Sequence, residues 1–487
     1  MQVVIEEIKR LFLLMENDEV ISVDKLPQSG SDRTYFRILT TANSYIATYN
    51  LNQKETNTFV EFSKHFKRLG SPVPVIFITN NEATIYIQED LGNETLLDKL
   101  GTQGHNPYVY TLYQQSLREL ARMQIRGGES VDYSLCLTAR EFGKQAILSD
   151  LLYFKYYFVD TLKRPYDKQA LLDDFEVLSN YLGHTEHKHF MFRDFQSRNV
   201  MIRDDQVHFI DYQGGMKGAL QYDVASLLWQ AKAELPDDWK DNLLHYYMDC
   251  VEELLEKPVN RREFVSQYNG YVLIRLLQVL GAYGFRGLFE RKAHFLISIP
   301  LALRNLKSFL INKRVGVILP EFSSILEWIV SEEVINRFQP VRATSKTSLT
   351  VCINSFSYKK SHPVDETQNG GGFVFDCRGI FNPGRLLEFK RRTGRDKEVK
   401  DFLEQQTKMP DFLNNVFNLV DISVEDYMRR DFCSLMVSFG CTGGQHRSVY
   451  AADELARHLR NKFGVKTVVR HLVQDEKNWV NSDPLNP

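Results

Sequence analysis

In the segment FRDFQSRNVMIRDDQVHFIDYQGG, Asp194 is followed by Asn199, and Asp211 closes the apolar run Val207-His208-Phe209-Ile210. Phosphoryl transfer needs a carboxylate that orients the attacking hydroxyl and takes its proton, together with oxygen ligands that hold Mg²⁺ against nucleotide phosphates. Asp194 has the chemistry of the base, and Asn199 and Asp211 that of the metal ligands. A second segment, SLMVSFGCTGGQHRSVYAADELARHLR, ends an apolar strand at Gly440 and opens a helix at Ser448. Glycines let successive backbone N–H groups converge, a helix N-terminus adds positive potential, and a guanidinium offers a bidentate fork. Cys441, Thr442, Gly443, Gly444, His446, Arg447 and Ser448 therefore form a candidate phosphate cradle. Gln445, His446 and Arg447 occupy the stretch where a Walker A loop needs its glycine and lysine. The spacing C-x-x-G-x-x-R-S leaves a second chemistry open, attack on phosphorus by a Cys441 thiolate activated by Arg447.

These residues act only if secondary structure holds them. From Ile21 to Asn50 apolar and polar residues alternate, with breaks at Gln28–Arg33 and Thr41–Asn43, which predicts three antiparallel strands. TNTFVEFSKHFKRLG has helical periodicity, TIYIQEDLG is strand-like, and Leu96 to Leu182 is mostly helical. Phe190–Met201 and Val207–Tyr212 read as a loop flanked by short strands, after which helices resume to Arg337. The expected architecture is an α+β bilobal domain over 1–335, with a small lobe to 92 and a helical lobe from 93. The polar stretch NRFQPVRATSKTS, 336–348, is the predicted linker. Beyond it LTVCINSFS, GGFVFDCRG, SLMVSFGC and KTVVRHLV alternate with helical runs, predicting a separate α/β domain over 349–475 with a partly parallel sheet, and a tail over 476–487.

The chain has 487 residues, 43% hydrophobic and 12% aromatic, enough to bury several cores and incompatible with a disordered or collagen-like polymer. The six cysteines show no zinc-ligand spacing and fit a reducing cytosol. The N-terminus is interrupted by Glu6, Glu7, Lys9 and Arg10, unlike a secretory signal. The richest apolar stretch, from Tyr271, is broken by Arg275, Gln278 and Arg286, which predicts a core helix and no membrane partner. Leu349–Gln474 holds 19 Lys and Arg against 15 Asp and Glu, whereas the remainder holds 41 against 47, so the C-terminal region is the one suited to anionic ligands. Its densest basic cluster, Lys390-Arg391-Arg392 with Arg395 and Lys397, reads as a solvated helix start more readily than as an RNA patch.

D-x-x-x-x-N followed by an Asp after the next hairpin is also the spacing of the kinase catalytic loop. Residues 1–335 resemble the aminoglycoside phosphotransferase-like kinase family. GSDRTYFRI and YIQEDLG resemble its branch that phosphorylates N-acetylmuramate and N-acetylglucosamine at the anomeric hydroxyl. The resemblance implies ATP and Mg²⁺ as cofactors, Asp194 as base, Asn199 and Asp211 as metal ligands, and adenine binding near Gln88, Glu89 and Leu91. It also implies a structural role for Asp223, which a helix cap would satisfy. The chain departs from the family twice. Phe192 replaces the His of H-x-D, so packing must orient the loop, and the strand Ser44–Asn50 lacks the ATP-binding lysine. Arg33 or Arg37 could replace that cation, with Gly30 and Ser31 in the adjoining loop as nucleotide contacts.

Residues 349–473 resemble the C-terminal domain of RapZ through FVFDCRGIFNPG, TGRDKEVKDFLEQQ and GCTGGQHRSVYAADELA. This resemblance implies a phosphosugar pocket using Thr442, Gly443, His446 and Arg447, with Asp376 and Arg378 as second-side contacts. Gly384 stands where that family has a histidine. Together the two resemblances point to a cytoplasmic sugar kinase with an attached phosphosugar-sensing domain. The alternatives are a degenerate kinase acting as a non-catalytic regulator that binds phosphosugar, RNA or protein, and a Cys441-dependent phosphatase.

Overall fold

The computed structural model describes residues 2–16, 18–26, 33–290, 293–339, 341–360, 362–367, 369 and 371–476. The chain divides into two compact units, Met1–Phe289 with Ser298–Arg337, and Glu290–Ile297 with Phe338–Pro487.

The first unit begins with a helix, Gln2–Leu13, and a five-stranded antiparallel sheet: β1 (Val20–Lys25), β2 (Thr34–Thr40), β3 (Ser44–Tyr49), β4 (Ile76–Thr79) and β5 (Ile85–Glu89), in the order β1-β2-β3-β5-β4. Period-two alternation gives this sheet two distinct faces. Phe36 and Ile38 of β2, Ala47 of β3 and Ile87 of β5 join Ile8, Leu11 and Phe12 of the first helix in one core. The register places Tyr35, Thr48 and Tyr86 in one row on the other face. There the helix Gln53–Arg68 packs Phe59 against the rings of Tyr86 and Tyr212.

Most of the rest of this unit is helical, around two short antiparallel pairs, β6 (Lys188–Met191) with β9 (Met216–Ala219) and β7 (Val200–Arg203) with β8 (Gln206–Phe209). The helical segment Arg261–Phe289 is long and apolar enough to cross a membrane, but more than half of its most apolar window is buried within the protein. It is a core helix, and Arg275 near its middle is buried.

In the second unit β10 (Thr350–Ser357), β11 (Gly372–Asp376), β12 (Ser434–Cys441) and β13 (Lys466–His471) form one sheet in the order β11-β12-β10-β13, and every adjacent pair is parallel. The sequence predicted only partial parallelism. The helices Lys397–Gln406, Met409–Arg429 and Arg447–Phe463 supply crossovers and bury Val399, Leu403, Val416, Val420 and Leu455 against the sheet residues Val351, Ile353 and Val437.

Candidate functional site

The loop after β6 carries Asp194. Arg193, just before it, lies in the left-handed region at φ 79°, and so does Asp211 at φ 71°. Non-glycine residues held there cost ~1–3 kcal/mol each and persist only where their surroundings enforce them. At Arg193 that enforcement is visible. The buried Asp223 carboxylate accepts the backbone N–H groups of Phe192 at 2.7 Å and Arg193 at 2.9 Å, and Gln124 Nε2 at 2.8 Å. Burial pushes its carboxyl up to about 7, against three donors that favour the charged form. The helix-cap reading of Asp223 is thereby corrected: the residue lies inside the helix Leu220–Leu228, whose N-cap position is Ala219, and it clamps the Asp194 loop. Phe192 is fully buried and meets the rings of Phe195, Phe209 and Tyr212, so packing does orient the loop that lacks the family's histidine. The Arg193 guanidinium grips Asp150 through two hydrogen bonds of 3.0 and 2.9 Å.

Asp194 itself remains open to solvent, with 34% of its side chain exposed. Its Oδ1 accepts Arg275 Nη2 and Gln196 Nε2, both at 2.7 Å, and Arg198 lies 3.4 Å from Oδ2. Burial works to raise this carboxyl, but the charges of Arg275 and Arg198 outweigh it and hold it below the ordinary aspartate value. Asp194 is therefore an ionised acceptor at neutral pH.

Asn199 Nδ2 donates to the Asp194 carbonyl at 2.9 Å and lies 3.5 Å from Asp211 Oδ2. The Ile210 N–H donates to the Asn199 carbonyl at 3.1 Å, tying together the backbones that carry the two side chains. One carboxylate and one amide oxygen are hard donors of the kind Mg²⁺ takes when phosphates and water complete its shell. Among the described residues no group of three or more His, Cys, Asp and Glu could hold a metal ion. The Asp211 carboxylate and the Asn199 amide, 3.5 Å apart, are the donors here that would fit such a metal.

Of the nucleotide-contact residues, Gly30 and Ser31 lie outside the described residues. Arg33 is buried, and its Nη2 donates to Asp211 Oδ1 at 2.5 Å. Arg37 is committed elsewhere, to Asp90 at 2.7 Å and to Asn93 Oδ1 at 2.7 Å. Gln88 and Leu91 are buried at the junction between the lobes, and the Oε1 of Gln88 has no hydrogen-bond partner. The Glu89 side chain is engaged by Arg203 at 2.9 Å and by the Val75 N–H at 3.2 Å, and its own backbone N–H donates to the Val75 carbonyl at 2.9 Å. Arg275, Glu55 and Asp150 escaped the sequence reading as site residues. For Arg275 the signal was present, since a charge inside an apolar helix is almost never buried without a partner.

The second site lies at the C-terminal ends of the parallel strands. Connections from β10 and β12 leave in opposite directions, β10 toward β11 and β12 toward β13, which places a crevice at this end of the sheet. Ser357 Oγ donates across it to the Thr442 carbonyl at 2.7 Å. Thr442 and Gly443 are exposed at its mouth, and Gly444 adopts φ +64°, where a Cβ would sit 2.5 Å from Val473.

The other cradle residues face inward. Cys441 is 2% exposed; its Sγ accepts the Gly444 N–H at 3.2 Å and lies 3.1 Å from Ser448 Oγ. A thiol held this way helps to shape the loop. His446, which burial holds below the ordinary imidazole value, places its Nε2 2.9 Å from the Phe389 carbonyl. Arg447 opens the helix, and its Nη1 donates to the carbonyls of Cys377, Arg378 and Ile380 at 3.3, 3.2 and 2.7 Å. Nη1 is thereby spent on backbone, while Nε is buried without a hydrogen-bond partner, so the Nε–Nη2 edge is not used by the protein's own carbonyls. Asp376 and Arg378 pair with each other at 2.7 Å on the rim, where the guanidinium lies 3.9 Å from the Tyr358 ring centroid.

Residues 23–256 match the phosphotransferase enzyme family, and residues 349–475 match the RapZ C-terminal domain. A region similar to the phosphotransferase enzyme family is thus followed, in one chain, by a region similar to the RapZ C-terminal domain. Curated relatives include a nucleotide-binding protein of Fervidobacterium nodosum, 32% identical over 161 residues, covering 32% of this chain and 55% of that protein. Another, from Thermotoga neapolitana, is 35% identical over 123 residues, covering 25% of this chain and 42% of that protein. The chain spans about half the length of the curated relatives it matches. Similar solved structures include a choline kinase from Cryptosporidium parvum, 13% identical with a TM-score of 0.45, covering 67% of this chain and 100% of that one. Choline kinase LicA from Streptococcus pneumoniae is 16% identical with a TM-score of 0.40, covering 63% and 98%.

Proposed function

We propose that this protein is an ATP-dependent kinase that phosphorylates a sugar hydroxyl, most specifically that of an N-acetylated amino sugar such as N-acetylmuramate or N-acetylglucosamine. The observation that carries the reading is Asp194, a solvent-accessible carboxylate held ionised by Arg275 beside the Asn199 and Asp211 pair. In this reading Asp194 Oδ2 accepts the substrate hydroxyl proton while Arg275 and Gln196 fix Oδ1. Asn199 and Asp211 would hold Mg²⁺, which when bound neutralises charge on the transferring phosphoryl group. Arg198 and Arg275 flank Asp194, a setting that favours a neutral or anionic acceptor over a polycation. The RapZ-type domain supports an amino-sugar context, and its crevice at Thr442 and Gly443 is the proposed seat of a phosphosugar effector.

The test is Mg²⁺-dependent ADP release across a panel containing N-acetylglucosamine, N-acetylmuramate, glucosamine and an aminoglycoside, with Asp194→Asn as blank. Turnover on the N-acetylated sugars is expected. Turnover on the aminoglycoside alone would refute the substrate assignment. Silence across the panel by folded protein would favour the non-catalytic regulator, the reading that the missing strand lysine motivates.

A further inference from the structure

We propose that Arg33 is the phosphate-positioning cation of this site and that it shields Asp211 until a metal–nucleotide complex displaces it. This rests on the phosphotransferase reading of the same site. A polyphosphate bound in a cleft needs at least one fixed cation besides its metal. In kinases that cation is a strand lysine paired with a helix glutamate. Here the corresponding strand, β3, is SYIATY, and Thr48, in the row with Tyr35 and Tyr86, is too short to take the lysine's place.

The other arginines around the cleft are already engaged. Arg37 is bound to Asp90 and Asn93, Arg193 to Asp150, and Arg275 to Asp194 and Gln278. Arg33 differs in its partner. Its guanidinium sits on the carboxylate assigned to the metal, with Nη2 2.5 Å from Asp211 Oδ1. Its Nε is buried, lacks a hydrogen-bond partner and lies 3.6 Å from Glu55 Oε1.

Glu55 lies in the first turn of the helix Gln53–Arg68 and is itself anchored, by Asn50 Nδ2 at 3.0 Å and Gln213 Nε2 at 3.4 Å. The glutamate of the kinase pair is therefore present, and an arginine entering from the start of β2 replaces the lysine. Glu55 can retain Arg33 through Nε while its terminal nitrogens leave Asp211 for phosphate oxygens. A divalent cation on Asp211 repels the guanidinium, and phosphates attract it, so the two binding events assist each other.

The test uses the full chain and two binding readouts: Mn²⁺ affinity by electron paramagnetic resonance without nucleotide, and Mg²⁺·ADP affinity by calorimetry. Arg33→Met should tighten Mn²⁺ binding about tenfold and weaken Mg²⁺·ADP binding about tenfold, opposite changes that a merely structural role cannot produce. Arg33→Lys should restore most of the nucleotide affinity. Glu55→Gln should weaken nucleotide binding several-fold, leaving Mn²⁺ affinity unchanged, and provides the test should Arg33→Met fail to fold. Parallel weakening of both affinities in Arg33→Met, or no change in either, would overturn the inference while leaving the kinase reading intact. Failure of the unaltered protein to bind Mg²⁺·ADP would overturn both.

Discussion

The two candidate sites spend their polar residues in opposite ways. At Asp194 the supporting charges come from distant chain segments, Arg275 from a core helix and Asp223 from another, and they leave the carboxylate partly open to solvent with a fixed charge. At Cys441–Ser448 the loop supports itself. Cys441, Ser448, His446 and one edge of Arg447 are buried and bonded to the loop or to nearby backbone, and only Thr442 and Gly443 face outward. A reacting site needs a group held from behind and free in front, whereas a binding crevice can be lined largely by backbone once side chains have fixed its shape. The first arrangement suits chemistry, and the second suits recognition without turnover.

The sharpest way to break this contrast is to remove the open group. Asp194→Asn keeps the side chain's shape and its hydrogen bond from Arg275 but loses the base. We expect kcat to fall by ~10²–10⁴, with the thermal midpoint nearly unchanged and nucleotide affinity altered by no more than about threefold. Retained turnover, measured by coupled ADP release, would remove Asp194 from the mechanism. The matching change in the other site is Arg447→Met. It strands three carbonyls and removes a buried charge, so the C-terminal domain should lose about 3 kcal/mol of stability by denaturant titration. If stability held and only phosphosugar affinity vanished, Arg447 would be a ligand and the contrast would fail at that residue.

Much of the first site could be read from local spacing, and much of its support could not. Asp194, Asn199 and Asp211 stand in one short stretch whose flanking strands alternate visibly, so the sequence placed them on a loop and a hairpin. Arg275 and Glu55 reach the same place from 81 residues downstream of Asp194 and 156 residues upstream of Asp211, and no periodicity encodes such proximity. Arg275 was noticed only as an interruption in an apolar helix, a correct observation whose reason is the partner it finds. At Arg447 residue type and spacing suggested a phosphate fork but did not foretell that Nη1 bonds three backbone carbonyls. Spacing alone does not reveal whether a side chain turns toward the crevice or toward the preceding strand ends. In the C-terminal domain the four strand-like runs were legible, but their fully parallel pairing follows from crossover helices that a hydrophobic pattern only hints at.

Removing the support behind the open group should have a smaller effect than removing the group, and it should carry a pH signature. In Arg275→Met the carboxyl of Asp194 keeps its burial, which raises its pKa, and loses the charge that outweighs that burial. The base then protonates at higher pH, so the acid limb of kcat/KM should move upward while the alkaline limb stays. At neutral pH activity should fall roughly ten- to hundredfold through lost orientation. An unmoved acid limb would mean that Arg275 acts by packing alone.

The smallest effect tests the closed site. Among the described cysteines Cys433 is exposed and Cys352 intermediate, while Cys441, Cys377, Cys136 and Cys250 are buried. Under native conditions a thiol-disulfide reagent should therefore titrate Cys433 quickly and Cys352 slowly, with Cys441 among the silent four until denaturant is added. Cys441→Ala should leave any phosphoester hydrolysis by the preparation unchanged. A Cys441 that reacted faster than Cys433 would signal an accessible thiolate, and the C-terminal loop would then have to be regarded as a reacting site instead of a crevice shaped by its own buried side chains.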